Sequence, residues 1–102
     1  MKRIDLEHTG IILKEEFMEP YKLSMNALAR AINVQPNRIH GILHGERGIT
    51  ADTDLRLTRF FGLSEGYFLR LQDDYDMRLA KKKIQSDLQK IIPISMQPAF
   101  VS

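Results

Sequence analysis

The sequence contains no cysteine, and this absence removes several kinds of chemistry together. A chain without cysteine has no disulfide, no thiol nucleophile and no cysteine-based zinc site. No apolar run approaches the roughly 20 residues that a membrane-spanning helix needs. The first ten residues, MKRIDLEHTG, lack the apolar centre of a signal peptide. These absences lead us to expect a cytoplasmic protein without a membrane partner.

Signatures of catalysis are also missing. The sequence has no glycine-rich phosphate loop, no HExxH or GxSxG motif and no signature of a paired-carboxylate pocket. Asp73, Asp74 and Asp76 form a small acidic cluster, which favours a solvated helix face over a cation site. His40 and His44 have the spacing of a helical chelate, but a closed zinc site usually takes four ligands. We therefore expect no enzyme activity, no cofactor and no metal.

The hydrophobic pattern predicts an all-α fold. With 102 residues, 43% hydrophobic and 27% charged, the chain is long enough for one folded domain with a single core. Apolar residues recur at helical spacing in about five segments, and no segment makes a convincing central strand. Thr9 is expected to cap a first helix that stops at Pro20, and Thr50 and Ser64 are expected to cap the fourth and fifth. Gly62 would end the fourth helix.

A helix-turn-helix is predicted at about residues 24–44. Ser24 is a good N-cap for a helix over Met25 to Ile32, and Asn33 tolerates the left-handed conformation that a tight turn needs. Pro36 suits the first position of a second helix, and Gly45 suits the left-handed position after its end. Six apolar side chains are expected to meet in one small core: Leu28, Ile32, Val34, Ile39, Ile42 and Leu43.

The other face of the second helix is polar and carries no acid, which is typical of a helix that enters a DNA groove. Residues 21–50 contain four lysines and arginines against one acid, although the whole chain has a net charge of only +2. Asparagine and glutamine can pair with adenine, and arginine with guanine. We predict that three residues read bases: Gln35, Asn37 and Arg38. Five others are expected to approach the DNA backbone: Arg30, His40, Gly41, His44 and Arg47. The alternative is the polar face of an ordinary surface helix.

The end of the sequence is unusually apolar. Residues 84–102 include a possible helix and the tail IIPISMQPAFVS, and we treat them as an extension of a domain formed by residues 1–83. Such a tail should cover its own domain, a second copy or another protein. The aromatic residues Tyr67, Phe68 and Tyr75 are expected in the core or at an interface.

Two segments resemble a known family. NALARAINVQPNRIHGILHGERGITADTDLRLTRFFG and YFLRLQDDYDMRLA are similar to the HigA/VapI class of antitoxins, within the XRE-type (lambda-repressor-like) helix-turn-helix superfamily. HTGIILKEEFMEP resembles the family's opening helix, so the resemblance covers roughly residues 7–80. Three residues depart from the usual pattern: Glu46 replaces a commonly basic residue, Asp54 an alanine and Phe68 a tryptophan.

The resemblance implies a function beyond DNA binding. Such antitoxins neutralise a small HigB-type (RelE-like) toxin, an mRNA endonuclease, and bind their own promoter as dimers that usually repress it. The expected partners are therefore operator DNA, a HigB-like toxin and a second copy of the chain. Two alternatives remain open: a stand-alone XRE repressor without a toxin, and a protein-interaction subunit that does not bind DNA.

Overall fold

The computed structural model describes residues 7–97, and the regular structure within this range is entirely helical. This confirms the all-α prediction. The α-helices are α1 (Thr9–Ile12), α2 (Met25–Ile32), α3 (Pro36–Leu43), α4 (Ala51–Phe61), α5 (Tyr67–Lys83) and α6 (Gln85–Gln89). Helix α1 continues into a π-helical segment, Leu13–Met18, and then a 3-10 turn, Glu19–Tyr21. A second 3-10 turn, Ile94–Met96, follows α6.

The core is built by the first helical segment (α1 and its π-helical continuation), by α2, α3 and α4, and by the first turns of α5. Phe68, at the start of α5, is fully buried, and its ring centroid lies 5.2 Å from that of Phe17 in an edge-to-face arrangement. Tyr67 and Phe61 also contact the Phe17 ring, so aromatic packing joins the first helical segment to α4 and α5. The other buried apolar residues are Leu13, Met18, Leu28, Ala29, Ile32, Ile39, Ile42, Ile49 and Leu57.

The ends of the first helical segment differ from the prediction. His8, rather than Thr9, is the N-cap, because its Nδ1 accepts a 3.1 Å hydrogen bond from the Gly10 N–H. Thr9 is instead the first residue of α1 and is buried. Pro20 does not stop the helical path, since it lies within the 3-10 turn, and the path ends at Lys22 in a left-handed conformation with φ of 56°.

The cap predicted for the fifth helix was also wrong. Helix α5 begins at Tyr67, and Gly66, with φ of 88°, takes the N-cap position that we expected for Ser64. The buried carboxylate of Asp54 in α4 accepts hydrogen bonds from the N–H groups of Gly66, Phe68 and Leu69. A side chain from another helix therefore supplies the capping that the local sequence was expected to supply.

The second half of α5 and everything after it lies away from the core. Residues 76–96 are all exposed, and the longest dimension of the molecule is 59 Å against 27 and 23 Å for the others. The possible helix over residues 84–92 is present only in part, as the five-residue helix α6 (Gln85–Gln89). The exposed apolar side chains of this region are Met77, Leu79, Ile84, Leu88, Ile91, Ile92, Ile94 and Met96. The division at residue 83 coincides with the end of α5 but stays a prediction, and residues 98–102 of the predicted tail lie outside the described range.

Candidate nucleic-acid interface

The predicted helix-turn-helix is present as α2, a tight turn and α3. The Ser24 hydroxyl accepts a 3.0 Å hydrogen bond from the Ala27 N–H at the start of α2. Asn33 has φ of 61° and Gly45 has φ of 71°, so both residues adopt the predicted left-handed conformation. Pro36 is the first residue of α3, where its missing N–H costs no hydrogen bond.

Packing between α2 and α3 fixes which face of α3 is exposed. Leu28, Ile32, Ile39 and Ile42 are buried, and Ala29, whose small side chain permits close approach of the two helices, is 1% exposed. The remaining members of the predicted small core, Val34 and Leu43, are partly buried against it. Helix α3 consequently directs its polar residues outward.

The three predicted base-reading residues have different environments. Gln35 and Asn37 are exposed at the start of α3. Arg38 is partly buried, and its Nη1 donates a 2.8 Å hydrogen bond to Asp52 Oδ1 and a 3.3 Å hydrogen bond to Thr53 Oγ1. Arg38 is therefore hydrogen-bonded to the start of α4, a contact that the sequence pattern did not indicate.

Two histidines continue the exposed face of α3. The rings of His40 and His44 are stacked with centroids 4.0 Å apart, and His44 Nδ1 lies 2.9 Å from the carbonyl oxygen of His40. Arg30, in the last turn of α2, is exposed as well. These three residues can present N–H groups to a DNA backbone.

Gly41 and Arg47 have a direct relationship. A Cβ atom at Gly41 would lie 2.6 Å from Cδ and 2.8 Å from Cγ of Arg47, so the glycine makes room for the methylene groups of that side chain. The Gly41 carbonyl also accepts hydrogen bonds from the N–H groups of Glu46 and Arg47. This packing accounts for the mid-helix glycine without any contact to DNA, and it places Arg47 across the end of α3.

The loop after α3 is anchored to α5 by Gln72. Its Oε1 accepts a 2.6 Å hydrogen bond from the Ile49 N–H, and its Nε2 donates a 2.9 Å hydrogen bond to the Ile49 carbonyl. One side chain thus satisfies both the backbone N–H and the backbone C=O of Ile49. Because 23 residues separate the partners, no local spacing in the sequence could have indicated this contact.

No group of three or more histidine, aspartate or glutamate side chains within residues 7–97 is placed to hold a metal ion. In the same part of the chain, no helix is both long and apolar enough to cross a membrane.

Comparison with known proteins agrees with the geometry. No family model matches the sequence. The chain is 48% identical over 88 residues to Virulence-associated protein I of Dichelobacter nodosus. The aligned region covers 86% of this chain and 81% of that protein. It resembles the structure of an addiction module antidote protein of the HigA family from Coxiella burnetii, with a TM-score of 0.81, 42% identity and coverage of 88% of this chain and 98% of that one.

A second solved structure is Pseudomonas aeruginosa antitoxin HigA with the higBA promoter. The similarity has a TM-score of 0.79 and 33% identity, and it covers 86% of this chain and 96% of that chain. Both likenesses extend well beyond the helix-turn-helix, because each covers more than four fifths of this chain. This chain therefore belongs to the HigA/VapI-type antitoxins of the XRE helix-turn-helix superfamily.

Proposed function

We propose that this chain is the antitoxin of a type II toxin–antitoxin module and represses its own operon by binding operator DNA. The main observation in support of DNA binding is the exposed polar face of α3, which carries no acid and lies in a helix-turn-helix. A related HigA, similar over most of both chains, has been solved with promoter DNA.

The residue roles follow from position on the helix-turn-helix. Residues in the first turn of a recognition helix reach base edges, and later residues lie nearer the phosphates. Gln35, Asn37 and Arg38 are therefore proposed to contact bases. The proposed backbone contacts are made by the exposed residues Arg30, His40, His44 and Arg47, with Gly41 acting through the position of Arg47.

The DNA-binding half is tested by titrating the protein on the duplex upstream of its gene and on a random duplex of equal length, at two salt concentrations. We expect tighter binding to the upstream duplex, with affinity for both falling as salt rises because phosphate contacts release counterions. No measurable binding to either duplex would instead favour a protein-interaction subunit that does not bind DNA.

The proposed neutralisation of a toxin rests on family membership. We propose that the partner is a HigB-like (RelE-like) mRNA endonuclease, encoded beside this chain. Co-expression with the adjacent reading frame should relieve that product's growth inhibition, and the two proteins should copurify. An adjacent gene that encodes no such protein would favour a stand-alone repressor.

We further propose that the chain acts as a homodimer, joined in part by the region from α6 onward. Its side chains Ile91, Ile94 and Met96 are 69%, 63% and 70% exposed, which is costly for apolar groups in water. Two copies would also match two half-sites on an operator. Sedimentation should give a dimer for the full chain, and truncation after Lys83 should weaken association. Unchanged association after truncation would contradict the role of this region.

A further inference from the structure

The side chain of Arg38 is held by contacts outside its own helix. Its Nη1 carries two N–H groups, and the acceptors within reach are Asp52 Oδ1 at 2.8 Å and Thr53 Oγ1 at 3.3 Å. The guanidinium has five N–H donors in a planar fork. Three therefore remain on Nη2 and Nε, and two suffice for a bidentate contact with guanine O6 and N7.

Asp52 is itself fixed by a second arginine. Arg56 Nε donates a 2.7 Å hydrogen bond to the same Oδ1 atom, and Arg56 Nη1 donates to the carbonyl oxygens of Ile32 and Asn33 at 2.9 and 3.2 Å. A continuous set of contacts thus runs from the turn of the helix-turn-helix, through Arg56 and Asp52, to Arg38 in the first turn of α3. A lone surface ion pair would restrain Arg38 weakly, whereas this network restrains both partners.

We propose that Asp52 is a positioning residue that determines operator specificity, by holding the Arg38 guanidinium in the orientation that reads a guanine. The inference rests on the proposed function of α3. Hydrogen bonds from Arg56 and then Arg38 lower the pKa of Asp52, so the carboxylate stays ionised at neutral pH. An arginine already immobilised loses less conformational entropy when it binds its base.

The test compares Asp52→Asn with the unmodified full chain on the upstream duplex and on a random duplex, at fixed salt. The ratio of the two affinities should fall about three- to tenfold, the range expected for releasing one long side chain. Affinity for random DNA should stay unchanged or rise, because a negative charge is removed. Asp73→Asn, an equal charge change on the exposed face of α5, should leave the ratio unchanged.

Two further variants separate positioning from a structural effect. Asp52→Glu keeps the carboxylate and should recover part of the ratio. Adding Asp52→Asn to Arg38→Ala should lower the ratio no further, since the residue being positioned is gone. Equal gains in affinity for both duplexes with Asp52→Asn would overturn the proposal, because the acid would then merely oppose the phosphates.

Different results would contradict the positioning role of Asp52 and the base contact of Arg38. If Arg38→Ala lowers the ratio and Asp52→Asn does not, the positioning role fails and the base contact stands. If Arg38→Ala leaves the ratio unchanged, the base-reading role of Arg38 fails, and the positioning role fails with it.

Discussion

The carboxylate of Asp54 in α4 and the backbone of Phe68 in α5 are joined by a hydrogen bond, in which the Phe68 N–H donates to Oδ1 over 2.8 Å. The same carboxylate accepts from Gly66 at 2.6 Å and from Leu69 at 3.1 Å. A negative charge near these N–H groups also interacts favourably with the positive end of the α5 dipole. One residue therefore fixes the start of the helix that carries the most deeply buried aromatic ring.

Asp54→Ala should destabilise the fold strongly. It would leave three N–H groups without their partner in a site where Asp54 is 1% exposed, and one unsatisfied buried group typically costs about 1–3 kcal/mol. We expect the free energy of unfolding, measured in urea, to fall by about 3–5 kcal/mol. The exposed variant Asp73→Ala should change it by less than about 0.5 kcal/mol. A loss as small for Asp54→Ala would contradict the capping role.

Gly10→Ala should separate α1 from α3. A Cβ atom at Gly10 would lie 1.9 Å from the carbonyl oxygen of Ile42, so the two helices cannot keep their present distance. Overpacking of this kind typically lowers the free energy of unfolding by about 1–3 kcal/mol. We expect a loss at the upper end of this range, measured by thermal unfolding. Gly62→Ala is the matched control: its added Cβ meets nothing within 4 Å, although φ is 71°. Its cost of about 1–2 kcal/mol should reflect backbone strain alone, and equal losses would argue against the clash.

The sequence was most informative where structure depends on nearby residues. Ser24, Asn33 and Gly45 have strong preferences for a cap or a left-handed conformation, and each has the predicted role. The predicted core between α2 and α3 followed from helical spacing. Fold class and the helix-turn-helix could therefore be predicted from the sequence alone.

What the sequence did not reveal depends on contacts between distant residues. Asp54 caps α5 from 12 to 15 residues away, and Gln72 holds Ile49 from 23 residues away. Both look like ordinary polar residues on a helix. The pairing of Arg38 with Asp52 was hidden for the same reason, because the face of α4 that meets α3 is known only once the helices are packed.

Gln72→Ala should loosen the loop between α3 and α4. The variant removes the hydrogen-bond partners of both the N–H and the C=O of Ile49, and the expected loss of stability is about 1–2 kcal/mol. Amide exchange at Ile49 should accelerate, and operator affinity should fall although Gln72 is not proposed to touch DNA. Gln72→Glu keeps the acceptor for the Ile49 N–H and should be less severe. An unchanged exchange rate at Ile49 in Gln72→Ala would show that the anchor is dispensable.

Arg47 and Arg38 should respond differently to salt and sequence. Arg47→Ala should weaken operator and random DNA alike and reduce the slope of log K against log salt by about 1, as expected for one lost phosphate contact. Arg38→Ala should cost about 1–3 kcal/mol on the operator and relax base preference. Arg47→Met retains an apolar side chain over Gly41. It should therefore reduce the salt slope as much as Arg47→Ala does, but lower stability less. A full wild-type slope in both Arg47 variants would remove Arg47 from the proposed contacts.

The contribution of Asp52 to stability should depend on pH only in the acid range. Hydrogen bonds from Arg56 and then Arg38 hold the pKa of Asp52 below its usual range of about 4. A group whose pKa is lowered by folding stabilises the protein above its unfolded pKa, and this stabilisation is lost as pH falls through the folded pKa. The difference in thermal midpoint between wild type and Asp52→Asn should therefore be constant from about pH 8 to 5 and should close below about pH 4. A difference that already closes between pH 7 and 6 would mean that another group controls the network, since Asp52 does not change its charge there.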